Sequence, residues 1–229
     1  MKIVVPKEIF PGETRVPLLP SAVKKLVALG AEVLVEKSLA ESIKVTDAEY
    51  EDAGATIVAD RKELLGDGDI VLRLRPIPED EVDLLKSGAI HVSFLDPFDS
   101  RELVEKLAAK NISAISMEMI PRSTRAQKMD ALSSQASLAG YMSVILAAER
   151  HQKILPMMMT PAGTIPPMRV MICGGGVAGL QAIATAKRLA ARVEATDVRA
   201  DTEEQVQSLG AKFVKVDLGE TGATKDGYA

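Results

Sequence analysis

The sequence predicts an α/β protein of two Rossmann-like domains with parallel sheets, the second of them incomplete. Three observations carry that expectation. Strand-like apolar runs alternate with amphipathic helix-like runs from the first residues onward, the pattern of helices laid over a mostly parallel sheet. The alternation stops between residues 126 and 150, where a helical run rich in small residues divides the chain. It resumes with a short apolar strand feeding the turn Gly174-Gly175-Gly176-Val177-Ala178-Gly179.

In the first part, strands are expected at 2–5, 32–36, 56–58, 70–74, 89–94 and 113–117, and helices at 21–29, 47–53, 61–65, 79–86 and 100–110. Ser21, Thr46 and Ser100 signal three of the helix starts, since each can accept hydrogen bonds from a first-turn N–H. Five or six strands suffice for a separate core, so residues 1–125 are expected to form one domain. The 126–150 run carries Ala131, Ser133, Ser134, Ala136, Ser137, Ala139, Gly140 and Ser143, side chains small enough for a closely packed linker helix. Pro156, Pro161, Pro166 and Pro167 punctuate the loop beyond it, where Met157-Met158-Met159 is expected to fill core space.

Residues 151–229 form the second domain, and the glycine turn lies in it. Val170-Met171-Ile172-Cys173 forms a strand, a helix follows at 180–189, and Val193-Glu194-Ala195-Thr196-Asp197 forms a second strand ending on an acid. This is the dinucleotide-binding fingerprint in the context it requires. Gly174 permits the tight turn, Gly176 lets backbone approach a pyrophosphate, and Gly179 lets the helix pack close to the strand. The phosphates would then lie on the partial positive charge of the helix N-terminus. Asp197 falls where a carboxylate accepts from an adenosine ribose. A 2′-phosphate beside it would meet repulsion of about 3 kcal/mol, for about 5 Å and an effective dielectric of about 20, which favours NAD(H) over NADP(H). Arg199 is expected to be a solvated surface charge, with a 2′-phosphate ligand as the alternative. A helix at 202–209 and a strand at 212–216 complete one βαβαβ half, followed by a polar tail from Gly219 to Ala229. A complete dinucleotide fold has two such halves, so the chain is expected to stop within this domain. A compact fold built on one half is the alternative.

The 229 residues are 47% hydrophobic and 26% charged with net charge −4, and their Lys and Arg are dispersed, which argues against a nucleic-acid surface. The opening Met1-Lys2-Ile3-Val4-Val5-Pro6 is too short an apolar run for a signal peptide. No run approaches the roughly 18 apolar residues of a membrane helix, so a cytoplasmic protein with no direct membrane insertion is expected. The lone Cys173 excludes an intrachain disulfide and is expected to be a core thiol at a strand end. His91 and His151 fit no triad or metal spacing; the first is expected to be structural, the second to cap the long helix, and no metal site is expected.

Two segments resemble a known family. One runs Pro121-Arg122-Ser123-Thr124-Arg125-Ala126-Gln127-Lys128-Met129-Asp130-Ala131-Leu132-Ser133-Ser134-Gln135; the other extends from Pro166-Pro167-Met168-Arg169-Val170 through the glycine turn to Thr196-Asp197-Val198-Arg199. They are similar to the NAD(H)-binding component of the proton-translocating nicotinamide nucleotide transhydrogenases, which share a structural family with alanine dehydrogenase. Pro6-Lys7-Glu8 and Gly12-Glu13-Thr14-Arg15-Val16 match both branches, as does Asp47-Ala48-Glu49-Tyr50 with Ala53-Gly54-Ala55.

The resemblance implies that Arg122, Gln127, Asp130 and Ser133 hold the nicotinamide carboxamide and ribose, with Gln127, Asp130 and Ser133 stepping by three along one helix face. It implies cofactor contacts from Gly174, Gly176, Val177, Ala178, Gly179, Asp197, Val198 and Arg199, and from Tyr228 in a loop that closes over nucleotide. It further implies hydride transfer between NAD(H) on this chain and NADP(H) on a partner subunit, coupled to proton translocation. The expected assembly is a homodimer, held peripherally at the inner membrane by membrane-spanning and NADP(H)-binding subunits.

Departures bear on the reaction. Phe94-Leu95-Asp96-Pro97 stands where alanine dehydrogenases carry an active-site histidine, and Arg73-Leu74-Arg75-Pro76 replaces their substrate-binding lysine region. Oxidising an amino acid needs a proton acceptor, whereas direct transfer between two nicotinamides needs none. Ser38-Leu39-Ala40-Glu41-Ser42 stands where the family has a glycine-rich turn. An alanine-dehydrogenase-like oxidoreductase and a non-catalytic nucleotide-binding fragment remain the alternatives.

Overall fold

Every residue of the first strand, β1 (Lys2–Val5), after the lysine is apolar and buried, because the strand lies in the middle of a parallel sheet and is covered on both faces. The computed structural model describes residues 1–199 and 201–216. They fall into two units, one from Met1 to Asp130 and one beginning at Ala131.

In the first unit, β1 is joined by β2 (Glu32–Glu36), β3 (Thr56–Val58), β4 (Ile70–Leu72), β5 (Ile90–Ser93) and β6 (Ser113–Ser116) in the order β3-β2-β1-β4-β5-β6, all parallel. Four helices connect them: α1 (Pro20–Ala28), α2 (Asp47–Asp52), α3 (Arg61–Asp67) and α4 (Arg101–Ala109). Side chains along a strand alternate between faces. Val4 therefore joins Leu64, Leu65 and Val71 in one core, while Ile3 and Val5 join Val23, Val33 and Tyr50 in the other. The buried Tyr50 hydroxyl donates to the Leu18 carbonyl at 2.7 Å, so its polar end is satisfied.

The helix starts show different chemistry. Thr46 and Glu49 form a reciprocal capping box at α2, and Asp60 accepts from Lys62 N–H and Glu63 N–H at α3. The start expected at Ser21 shifts to Pro20, which occupies the first helical position and has no N–H to satisfy. Ser100 takes the cap position of α4 but makes no side-chain cap bond. The helix expected at 79–86 is a 3₁₀ segment, Glu79–Leu84, whose Glu81 is drawn into ion pairs with Arg61 and Arg73. In the Ser38–Ser42 segment, Ser38 takes a left-handed φ of 59° and its N–H is held by Asp47 Oδ1 at 2.8 Å.

The second unit contains α5 (Ala131–His151), an antiparallel hairpin of β7 (Met158–Thr160) and β8 (Gly163–Ile165), and a parallel sheet in the order β11-β10-β9. The sheet strands are β9 (Arg169–Cys173), β10 (Arg192–Thr196) and β11 (Lys212–Phe213), connected by α6 (Val177–Arg188) and α7 (Thr202–Ser208). Ile183, Ala186, Val193, Ala195 and Val206 form the core, with Val144 of α5 against them. The long helix expected at 126–150 thus begins at Ala131 and packs on α6. A Cβ at Gly140 would stand 2.1 Å from the Ala178 carbonyl oxygen, so this close helix contact requires glycine.

Three expectations are corrected here. Among the described residues α5 is long and apolar enough, by length and composition, to cross a bilayer, although no such run was expected. Its buried positions are Gly140 and Val144, the first of them at the close contact with α6. Met157, Met158 and Met159 do not fill the core; they are 56%, 46% and 75% exposed because the segment turns outward as a hairpin. Cys173 is exposed rather than a core thiol, since β9 is the sheet edge among the described residues.

Candidate functional site

The glycine turn grows out of β9. Gly174 adopts φ of +103°, a conformation side chains disfavour, and its N–H donates to the Thr196 carbonyl at 2.8 Å, tying the turn to β10. Gly176 caps α6 in extended backbone, and the first turn of that 12-residue helix carries no acidic residue. No residue of the helix itself therefore offsets its N-terminal partial charge. A Cβ at Gly179 would fall 1.8 Å from the Gly174 carbonyl oxygen, so helix and turn touch through backbone alone. A Cβ at Gly176 would meet no protein atom within 4 Å. Open space beside backbone N–H groups at a helix N-terminus is what a pyrophosphate requires. Val177 is exposed and Ala178 half-buried beside it.

Asp197 follows β10 and turns back toward this loop. Its Oδ2 accepts Gly175 N–H at 2.6 Å and Arg199 Nη2 at 3.0 Å; its Oδ1 accepts Arg199 N–H at 2.8 Å and Arg199 Nε at 3.0 Å. The carboxylate side chain is only 6% exposed. The Arg199 guanidinium foremost, then the Gly175 and Arg199 backbone N–H groups, hold its pKa down at about 2. The expectation that Arg199 is a solvated surface charge is thereby corrected: the side chain is folded onto Asp197 as a bidentate ion pair. Val198 between them is exposed. Tyr228 lies outside the described residues.

Arg122 and Gln127 are exposed in the segment leaving the first unit, which Ala126 anchors by burial. Gln127 lies in a 3₁₀ turn, Gln127–Met129, and Asp130 has ψ of 83°, which ends that turn. Ser133 lies in the first turn of α5. The single helix face expected for Gln127, Asp130 and Ser133 is therefore broken at Asp130, where the backbone leaves helical geometry. Asp130 closes the first unit and Ser133 belongs to the second.

The first unit also holds a polar network to which the sequence alone assigns no roles. Glu8 Oε1 accepts Leu74 N–H at 2.6 Å and Arg75 N–H at 3.3 Å, while Oε2 pairs with Arg73 at 3.3 Å. Glu81 bridges Arg73 at 3.0 Å and Arg61 at 2.6 Å, and Arg61 reaches Glu36 at 2.6 Å. Glu13 holds Arg15 at 2.8 Å and Arg75 at 2.9 Å, with its pKa lowered to about 2, chiefly by Arg15. Pro6-Lys7-Glu8 and Gly12–Val16 thus join the β1 exit to the residues after β4. His91 is buried, shares a 3.0 Å hydrogen bond with Ser93 and is pushed down to about 4 by burial and then by Arg73, which keeps it neutral near pH 7. The exposed Asp96 has φ of 50°, and its N–H is held by Glu118. Among the described residues no group of three His, Cys, Asp or Glu could hold a metal ion.

Known proteins resemble both parts of the chain. The alanine dehydrogenase/PNT N-terminal domain matches residues 4–139, and the alanine dehydrogenase/PNT C-terminal domain matches residues 143–226. An NAD(P) transhydrogenase subunit alpha chain of Rhodospirillum rubrum is 51% identical over the whole of this chain, which spans 62% of that relative's length. The transhydrogenase structure from Sinorhizobium meliloti has a TM-score of 0.90 at 45% identity, over 94% of this chain and 64% of that one. The alanine dehydrogenase of Methanococcus maripaludis is 32% identical over 86% of this chain and 53% of its own length.

Proposed function

Because this chain belongs to the alanine dehydrogenase/PNT family, we propose that it is the NAD(H)-binding part of a proton-translocating transhydrogenase. The reaction is NADH + NADP⁺ ⇌ NAD⁺ + NADPH. A bound nicotinamide supplies the hydride chemistry, and this chain supplies position and environment. The observation that carries the reading is the glycine turn at the N-terminus of α6, with open space beside Gly176 and the Asp197 carboxylate just past the next strand. The turn holds the pyrophosphate, Asp197 the adenosine ribose, and Arg122, Gln127, Asp130 and Ser133 the nicotinamide end.

NADP(H) then belongs to a partner subunit, and proton movement to membrane-spanning partners that keep this chain peripheral on the cytoplasmic side. The working assembly is a homodimer. Two observations favour transhydrogenation over amino-acid oxidation. The chain is 51% identical to the transhydrogenase subunit against 32% to the alanine dehydrogenase. The position where a histidine is expected for amino-acid oxidation holds the exposed Asp96, and His91 is buried and neutral, so no imidazole is available there.

Titration by nicotinamide fluorescence tests the cofactor assignment. NADH is expected to bind at least about tenfold more tightly than NADPH, and Asp197→Asn to narrow that gap by relieving repulsion of the 2′-phosphate. Equal affinities in the parent chain would overturn it.

A further inference from the structure

A carboxylate offers about four lone-pair positions. All four at Asp197 are engaged within the protein: one by Gly175 N–H, one by the Arg199 N–H and two by the Arg199 guanidinium. Only 6% of the side chain meets solvent. A ribose diol presents two hydroxyl donors, so Asp197 can accept both only after two of these positions are vacated. The two backbone donors belong to the turn and to the segment following β10. The two guanidinium donors belong to a side chain that can rotate away.

On the reading that this site binds an adenine dinucleotide, we propose that Arg199 is a displaceable latch on the ribose subsite: its guanidinium occupies the positions that the diol takes, and nucleotide enters by displacing it. The local structure suits such an exchange. The Arg199 carbonyl accepts the Thr202 hydroxyl at 2.8 Å, which fixes the backbone while the side chain moves. Gly175 N–H and Arg199 N–H keep the carboxylate aimed after the guanidinium leaves. A planar guanidinium fork matches both carboxylate oxygens, as a diol does. Opening the latch is rewarded only by a ligand that donates twice. A 2′-phosphate replaces one of the two donors with an anion, so the latch adds to discrimination against NADP(H). Arg199 is thus a specificity-determining residue that opposes binding in the resting state.

A closed latch reduces apparent affinity by the fraction of time the site is open. Removing it should therefore tighten binding. The energy of a partly exposed ion pair, up to about 1 kcal/mol, corresponds to a gain of about fivefold at most. Calorimetric titration of the full chain with NADH, ADP and 2′-deoxy-ADP tests this in the parent, Arg199→Ala and Arg199→Lys. Both variants are expected to bind NADH and ADP about three- to fivefold more tightly, lysine keeping the charge but losing the fork. The gain should shrink with 2′-deoxy-ADP, which lacks one donor. Weaker binding of ADP and 2′-deoxy-ADP alike in both variants would show Arg199 holding the nucleotide directly and would overturn the latch. Parent binding of NADH with unchanged affinity in the variants overturns the latch alone. Absence of NADH and ADP binding in the parent overturns the dinucleotide reading and the latch with it.

Discussion

Gly179 and Gly174 touch through their backbones: a Cβ on Gly179 would stand 1.8 Å from the Gly174 carbonyl oxygen. Gly176, three residues earlier, faces open space. The two glycines therefore answer different demands, one from the fold and one from the ligand. Gly179→Ala is expected to destabilise the chain by about 3 kcal/mol, since backbone must shift. Gly176→Ala is expected to change stability by less than about 0.5 kcal/mol while lowering NADH affinity at least about tenfold. Thermal unfolding with NADH titration of both variants checks the pair. Equal effects of the two substitutions on stability would remove the distinction.

Arg122 and Gln127 carry a kinetic expectation. Both are exposed before α5 and match the segment that resembles the nicotinamide-holding loop of the transhydrogenases. On the proposed reading, pyrophosphate and adenosine contacts supply most of the affinity, whereas the nicotinamide end must be placed for transfer. In a complex reconstituted with partner subunits, Arg122→Ala and Gln127→Ala should lower the hydride-transfer rate on the order of a hundredfold, with a smaller change in NADH affinity. Stopped-flow transfer rates beside NADH titrations separate the two effects. Unchanged rates in both variants would show that this segment does not position the nicotinamide.

The buried His91 makes stability depend on pH. Its pKa in the folded chain is about 4, below the ordinary 6.5, because burial and then Arg73 disfavour the cation. The unfolded chain therefore binds the extra proton between those values. Stability present above about pH 6.5 is lost as pH falls toward about 4, by about 2 kcal/mol between pH 7 and pH 5 for this residue. Glu13 and Asp197, both lowered to about 2, act at lower pH and leave this window to His91. Urea unfolding at both pH values should show a loss in the parent that is much smaller in His91→Gln, whatever the variant's baseline. Equal losses in the two would refute the assignment.

Strands of the first sheet were legible because each is marked by a local apolar run. β1, β2 and β3 lie at the residues expected from apolar runs bounded by turn residues. The glycine turn was legible because its strand, helix and acid are adjacent in sequence. The segment from Gln127 to Ser133 was not, since steps of three fit a 3₁₀ turn as readily as an α-helix and the break is a single ψ at Asp130. The Glu8–Arg73 pair, 65 residues apart, leaves no local pattern. Arg199 resembled any exposed arginine until the fold turned Asp197 toward the loop. The β7–β8 hairpin was hidden by prolines that also mark loops.

After Arg169, strand β9 reads Val170-Met171-Ile172-Cys173, apolar on both faces, which is the composition of a strand covered on both sides. Among the described residues it is nevertheless the sheet edge, and Met171 is 48% exposed. Beside it lies a groove of about 590 Å³ lined by Val144, Leu155, Met168, Val170, Met171 and Ile172. An apolar edge strand invites pairing with another chain. The 229-residue chain alone is therefore expected to form concentration-dependent aggregates and to bind NADH weakly. A chain extended to the length of the Rhodospirillum rubrum relative, of which this one spans 62%, is expected to stay dispersed and bind more tightly. Met171→Lys should reduce aggregation of the short chain by placing a charge on the edge. Sedimentation velocity and NADH titration of the three proteins decide it. A short chain that is monodisperse and binds as tightly as the long one would show that this edge and groove need no cover.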